Sequence, residues 1–172
     1  AKAAAYWQVE DWRSAYGIYA CSGILFNHES PLRPESFVTK KIVNGALMIA
    51  KGELSHIELG NIDISRDWGW APDYVDAMWR ILQQEEPNDF VIASGKATKL
   101  KDFLALVFNH LNLDWEEHVI INPSFSRPLD VSFSVGNPAK AAALLDWHSR
   151  KSVNEIVSCM LVDEARKLNA KL

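Results

Sequence analysis

Asn27, His28 and Glu29 stand directly behind an apolar run that ends at Phe26, and Arg33 follows after two intervening turn-forming residues, Ser30 and Pro31, and Leu32. An amide, an imidazole, a carboxylate and a guanidinium at the carboxyl end of a strand suit ligand binding, because open α/β sheets take ligands beyond their strand ends. Amide and imidazole groups can orient a sugar or a nicotinamide, and a guanidinium can take a phosphate through two parallel hydrogen bonds. A polar loop that only caps a buried strand would use the same residue types.

Three further groupings carry charge in places where it could act. Thr39, Lys40 and Lys41 fall on the next helix. Lysines there ordinarily reach into water along an exposed face, so Lys41 gains a role only if its helix faces the first grouping. Arg66 and Asp67 immediately precede a helix start. Free N–H groups at such a start attract anions and disfavour a lone cation. Arg66 therefore either pairs with Asp67 or shares a bound phosphate. In Arg127-Pro128-Leu129-Asp130, an arginine held before a rigid proline, with a carboxylate behind it, could grip a phosphate and a ribose diol. A plain surface salt bridge is the alternative. Three arginines and a lysine in loops or helix starts of an acidic chain together suggest a pocket for a diphosphate.

The elements that must position these groups alternate between helix and strand, which gives an α/β class. Ala5, Val9, Trp12 and Tyr16 keep helical spacing up to Gly17, and the helix has no capping residue at its start, so sequence is expected upstream. Ile18 to Phe26 reads as a strand buried on both faces, as in parallel sheets. A helix is expected from about Glu35 to Lys51, and a short strand from His56 to Leu59. Pro72 marks the start of a helix whose apolar stripe is Val75, Met78, Trp79 and Leu82, with Trp79 in the core. Trp68 and Trp70 flank Arg66 and Asp67 and could line or cover a pocket. Phe90 to Ala93 and Val119 to Ile121 read as strands. Thr98 is placed to cap a helix bearing Leu100, Phe103, Leu104, Val107 and Leu111. Asn137 and Pro138 open another helix, and Ser152 to Glu155 forms a capping box before Val153, Ile156, Val157, Met160 and Leu161.

Composition bounds the function. The chain has 172 residues, 48% of them hydrophobic, and a formal net charge of −4, so no overall field recruits nucleic acid. Cys21 and Cys159 lack any ligand spacing, which reads as a reduced, cytoplasmic protein without structural zinc, and no metal site is expected. No apolar stretch is long enough to span a membrane, and no signal peptide is apparent. A glycine-rich dinucleotide loop is absent. His56, His110, His118 and His148 show no ligand spacing.

The blocks GILFNHESPLRPESFVTKKI, LGNIDISRDWGWAPDYVDAMW and RPLDVSFSVGNPAKAAALLDW resemble the carboxyl half of the GDP-mannose 4,6-dehydratase family, which belongs to the extended short-chain dehydrogenase/reductases. The likeness runs from Lys2 to about Leu168. It implies the end of a parallel Rossmann-type sheet plus a small α/β substrate domain, with residues 1–33 the residual end of the cofactor domain and 34–172 mainly the substrate domain. The family moves hydride from the hexose C4 to NADP, eliminates water across C5 and C6, and returns the hydride at C6.

By this resemblance Lys2 is the lysine of the Tyr-x-x-x-Lys pair, both a catalytic group and a ligand of the nicotinamide ribose. His28 and Arg33 match positions that bind NADP. Asn27, Val38, Lys41, Gly60 and Arg66 match the GDP-sugar site, Arg127 a phosphate-binding arginine, and Asp130 a ribose-binding glutamate. The implied partner is a GDP-sugar, and the unpaired sheet edge implies a homo-oligomer or pairing with another chain. The upstream acid, base and phosphate loop are missing, so the isolated chain is expected to be inactive.

Lys40 stands in place of a usual arginine, Ser132 of an aspartate, and Asp146-Trp147-His148-Ser149 of Gly-Trp-Lys-Pro. GNPAKA is similar to the relative that reduces the 4-keto product, GDP-6-deoxy-4-keto-mannose reductase. That reductase, or a non-catalytic nucleotide-sugar-binding protein, is the alternative.

Overall fold

A computed structural model describes residues 1–125 and 129–170. Helix α1 (Lys2–Tyr16) closes at Gly17, whose φ of 61° lets its N–H turn back to the Arg13 carbonyl. Strands β1 (Gly23–Leu25) and β2 (Asn27–Glu29) follow, then helix α2 (Val38–Ala50) and strands β3 (Ile57–Leu59) and β4 (Ser65–Trp70). Helix α3 (Ala71–Ile81) leads to β5 (Phe90–Ile92), β6 (Ala97–Lys99) and α4 (Leu100–Asn109). A short helix α5 (Trp115–His118), β7 (Val119–Ile121), α6 (Ala139–Leu145) and α7 (Val153–Lys167) complete the order.

Three small sheets hold the strands. β1 pairs with β5 in parallel, and β3 with β7 in parallel. β4 lies between β2, which is parallel to it, and β6, which is antiparallel. The mostly parallel α/β architecture agrees with the expected class.

Several boundaries moved for identifiable reasons. Within Ile18 to Phe26 only Gly23–Leu25 finds a full partner, because β5 offers just Phe90–Ile92. Ile24 is 45% exposed, so the expectation of burial on both faces fails in this chain. Asn27 to Glu29 is itself a strand, not the loop beyond one. Helix α2 starts at Val38 because residues 30–37 are spent in two turns, with Arg33 N–H donating to Ser30 O and Phe37 N–H to Pro34 O. Thr98 sits in β6 and caps nothing, since Lys99 occupies the cap position. Asn137 Oδ1 accepts from Ala139 N–H, but Pro138 is the cap residue and the helix begins one position later. The Ser152–Glu155 capping box forms as expected.

The main core packs α2, α4 and α7 against β3 and β4 through Ile42, Val43, Leu47, Phe103, Leu104, Val107, Ile156 and Met160. A second apolar cluster joins Tyr74, Ala77 and Ile81 of α3 to Phe90, Ile92, Leu145 and Trp147. Trp147 is pinned there because its indole N–H donates to the Asp73 carbonyl at 2.8 Å. The inward face of α3 is therefore Tyr74, Ala77 and Ile81. Val75, Met78, Trp79 and Leu82 are 40% to 62% exposed, which overturns the expectation that Trp79 is core. Trp7, Trp12 and Tyr16 of α1 are exposed as well, and no residue of that helix is buried. No described helix is long and apolar enough to cross a membrane.

Candidate functional site

The period-2 geometry of β2 and β4 sorts the polar residues onto two faces. Asn27 is registered with Trp68, and Glu29 with Trp70. Asn27, Glu29, Arg66 and Trp68 all line one cavity of about 640 Å³. His28 takes the opposite face, where its ring lies 4.8 Å from that of Tyr74 and its Nδ1 is 2.8 Å from the Phe26 carbonyl. Asn27, His28 and Glu29 thus do not aim at one point. Gly69, registered with His28, leaves room for Tyr74: a Cβ there would come within 2.6 Å of the phenol oxygen. Burial raises the Tyr74 hydroxyl's pKa well above its usual range, with Asp67 and Asp73 adding to the effect.

The same alternation separates Arg66 from Asp67. Asp67 is fully buried and accepts N–H groups from Ser94, Gly95 and Gly136 at 2.8, 2.9 and 3.3 Å, which ties two loops beneath the sheet. Arg66 instead donates from Nη2 to Asp130 Oδ1 at 2.8 Å, and from Nη1 to the Ser65 carbonyl. Asp130, not Asp67, is therefore the partner of Arg66, and both line the cavity.

Helix α2 supplies a second wall. Val38 and Lys41 line the cavity, and Lys41 Nζ donates to the Glu58 carbonyl at 2.7 Å while lying 4.8 Å from the centre of the Phe125 ring. Lys40, one position earlier, is only 4% exposed, which corrects the expectation of a solvated lysine. Gly60 lies where a Cβ would come within 2.8 Å of the Phe125 carbonyl, so glycine permits the close approach of that turn. Arg33 enters from the loop between β2 and α2. Its guanidinium stacks 3.6 Å above the Phe37 ring, and its Nε lies 3.3 Å from Glu29 Oε2 without the alignment of a hydrogen bond.

Glu29 is the principal feature that the residue pattern left without a role. It is 1% exposed and accepts the Thr39 hydroxyl at 2.7 Å, while among the described residues its Oε1 has no partner. Burial raises its pKa, against the lowering pull of Thr39, Arg33 and His28. Phe37 and Phe125, the aromatic floor and rim for Arg33 and Lys41, also line the cavity and were not foreseen. Spacing gave no signal for either, because Phe37 is the cap residue of α2 and Phe125 ends a 3₁₀ helix of three residues.

The structure therefore brings Asn27, Arg33, Val38, Lys41, Gly60, Arg66 and Asp130 around one cavity. Arg127 lies outside the described residues. Lys2, exposed on α1, and His28 do not line it. Of the residues attributed to NADP only Arg33 faces the cavity, so the cavity does not gather the set, and the chain fits that cofactor incompletely. Among the described residues no group of His, Cys, Asp and Glu side chains could hold a metal ion. The cavity's described basic groups, Arg33, Lys41 and Arg66, face the carboxylates Glu29 and Asp130, an arrangement able to bind an anion that also offers hydroxyls.

A family model described as GDP-mannose 4,6 dehydratase matches residues 1–160. The chain is 46% identical over 167 residues to GDP-mannose 4,6 dehydratase 1 of Arabidopsis thaliana, covering 97% of this chain and 46% of that protein. It is 41% identical over 178 residues to the Homo sapiens GDP-mannose 4,6 dehydratase, covering 94% of this chain and 48% of that one. In fold it is similar to RMD from Pseudomonas aeruginosa, solved with NADPH, at a TM-score of 0.86 and 21% identity over 96% of this chain and 54% of that one. It is also similar to dTDP-glucose 4,6-dehydratase from Bacillus anthracis, solved with NAD, at a TM-score of 0.84 and 14% identity over 98% and 51% of the two chains. The chain spans about half the length of the curated relatives it matches. With most of its length matched by one family model and by relatives above 40% identity, the chain belongs to the GDP-mannose 4,6 dehydratase family.

Proposed function

We propose that this chain forms the sugar-nucleotide-binding part of an NADP-dependent GDP-mannose 4,6-dehydratase, a lyase. The carrying observation is the convergence of Arg33, Lys41 and Arg66 on one cavity with Asn27 and Asp130. Arg66 and Arg33 hold the diphosphate through charge-assisted hydrogen bonds. Lys41 adds positive charge beside Phe125, Asp130 accepts the ribose hydroxyls, and Asn27 contacts the sugar. Val38 and Gly60 shape the wall and leave room for the nucleotide, and Arg127 adds a further phosphate contact. In the whole enzyme Lys2 acts with its tyrosine and His28 faces NADP, while Arg33, which the family likeness assigns to NADP, serves the sugar-nucleotide cavity that it lines. Residues 1–33 form the residual end of the cofactor domain, and residues 34–172 form mainly the substrate domain.

Alone, the chain binds without turning over, because proton transfer needs groups within hydrogen-bond reach that the chain does not supply. Calorimetry with GDP tests the reading. A dissociation constant on the order of micromolar is expected, and no heat of binding would contradict it. Turnover of GDP-mannose by the chain with added NADP would contradict the assignment of catalysis elsewhere.

The exposed Trp12, Ile24 and Trp79, together with an edge of β1 that pairs with no strand among the described residues, support a second part of the reading. Such surfaces seek partners. The chain works in the cytoplasm covered by another polypeptide, or by a second copy of itself. Sedimentation of the dilute chain as a monomer that binds no hydrophobic dye would argue against this.

A further inference from the structure

Lys40 and Glu164 form an ion pair between α2 and α7, although each is nearly buried and neither lines the cavity. Burying two charges costs several kcal/mol of desolvation, and an apolar pair of similar volume is often at least as stable. Helix-to-helix stability alone is therefore a weak reason for this pair. Its remaining contact supplies another: Lys40 Nζ also donates to the Pro31 carbonyl at 3.1 Å. Lys167 of α7 reaches the same carbonyl at 3.4 Å and Glu164 at 3.5 Å. The carbonyl belongs to the turn that ends with Arg33 N–H donating to Ser30 O. Arg33 stands two positions further on, stacked on Phe37 and facing Glu29.

We propose that the Lys40–Glu164 pair is a positioning device that fixes the 30–34 turn, and through it the guanidinium of Arg33, for the diphosphate of a nucleotide sugar. The inference rests on the function proposed above for its ligand, but not for its mechanics. Glu164 restrains Lys40 Nζ, which in turn holds the Pro31 carbonyl. With that carbonyl fixed, the turn has one conformation, and Arg33 need not be ordered when the ligand arrives. Ordering a long side chain during binding weakens affinity, so an arginine ordered beforehand binds better.

The test replaces both partners, Lys40→Met with Glu164→Leu, so that no buried charge is left alone. The double variant is expected to melt near the parent chain yet bind GDP about tenfold more weakly, the scale of one charge-assisted contact. Lys40→Arg, which can still meet both Glu164 and Pro31, is expected to retain affinity. In an Arg33→Gln background the double replacement is expected to change affinity little, because coupled residues are not additive. Undiminished GDP affinity in the folded double variant, or an equal loss in the Arg33→Gln background, would overturn the proposal. The Arg33 Nε–H signal in NMR supplies a readout free of ligand. It is expected to be single and slow to exchange in the parent, and averaged in the double variant. If the parent binds no GDP, the proposed function fails while this signal still decides the clamp. If the double variant does not fold, Glu164→Gln carries the same NMR test, and an unchanged Arg33 signal there overturns the clamp.

Discussion

Arg66 and Asp130 meet at 2.8 Å on the lining of the cavity, so a cation suited to phosphate is already held by a carboxylate suited to ribose. Both side chains are largely sheltered, yet they keep some contact with water, and such a pair contributes little to stability, roughly 1 kcal/mol or less. Its consequence lies in binding. Asp130→Asn releases Arg66 and is expected to raise affinity for inorganic pyrophosphate roughly two- to fivefold. GDP should not gain equally, because its ribose loses the carboxylate. Parallel calorimetric titrations compare the two ligands, and an equal gain for both would remove Asp130 from the ribose site.

Glu29 gives the chain a pH signature. Its pKa is raised in the folded state above the ordinary 4.5, chiefly by burial. In the pH range between the two values the folded chain holds a proton that the unfolded chain has released. Its contribution to stability is therefore complete below about 4.5 and is lost as pH rises through the folded value. Glu29→Gln lacks this loss. Thermal melts of the two proteins are expected to converge in acid and to diverge toward neutrality, with the variant gaining relative to the parent. A constant difference across pH would show that Glu29 titrates alike in the folded and unfolded chain.

Gly60→Ala tests the close approach at the cavity rim. The added Cβ would lie 2.8 Å from the Phe125 carbonyl, so the turn must move. Because Phe125 lies against Lys41, GDP affinity is expected to fall while the melting temperature changes modestly. Wild-type affinity in this variant would remove the Phe125 turn from the site.

Asp146 holds φ at 47° where α6 ends, and its side chain is exposed. A left-handed backbone is strained for a residue with a Cβ and free of that strain for glycine. Asp146→Gly is expected to stabilise the chain by about 0.5–1 kcal/mol in urea unfolding, offset in part by glycine's greater freedom when unfolded. A loss of stability would mean that the aspartate makes a contact worth more than the strain.

The core helices were legible because their apolar spacing is long and regular: α4 buries Leu100, Phe103, Leu104 and Val107 as the pattern requires. The α7 capping box was legible because its chemistry is local. The side of α3 that faces inward was not, since Val75, Met78, Trp79 and Leu82 form as good a stripe as the buried one, and tertiary packing chose between them. Asn27, His28 and Glu29 looked convergent only while they were read as a loop. Once they pair as a strand, alternation sends His28 to Tyr74 and leaves Asn27 and Glu29 in the cavity. The convergence of Arg33, Lys41 and Arg66 came from family likeness together with charge, whereas the burial of Lys40 depends on Glu164, a residue too distant in sequence for any local pattern to reveal.

The most direct test of the account compares GDP with GMP on the parent chain and on Arg66→Gln. Two phosphoryl groups gripped by converging cations predict that the parent prefers GDP by about tenfold or more, and that most of this preference disappears in the variant. Equal affinity of the parent for GDP and GMP, or a preference that survives the loss of Arg66, would contradict it.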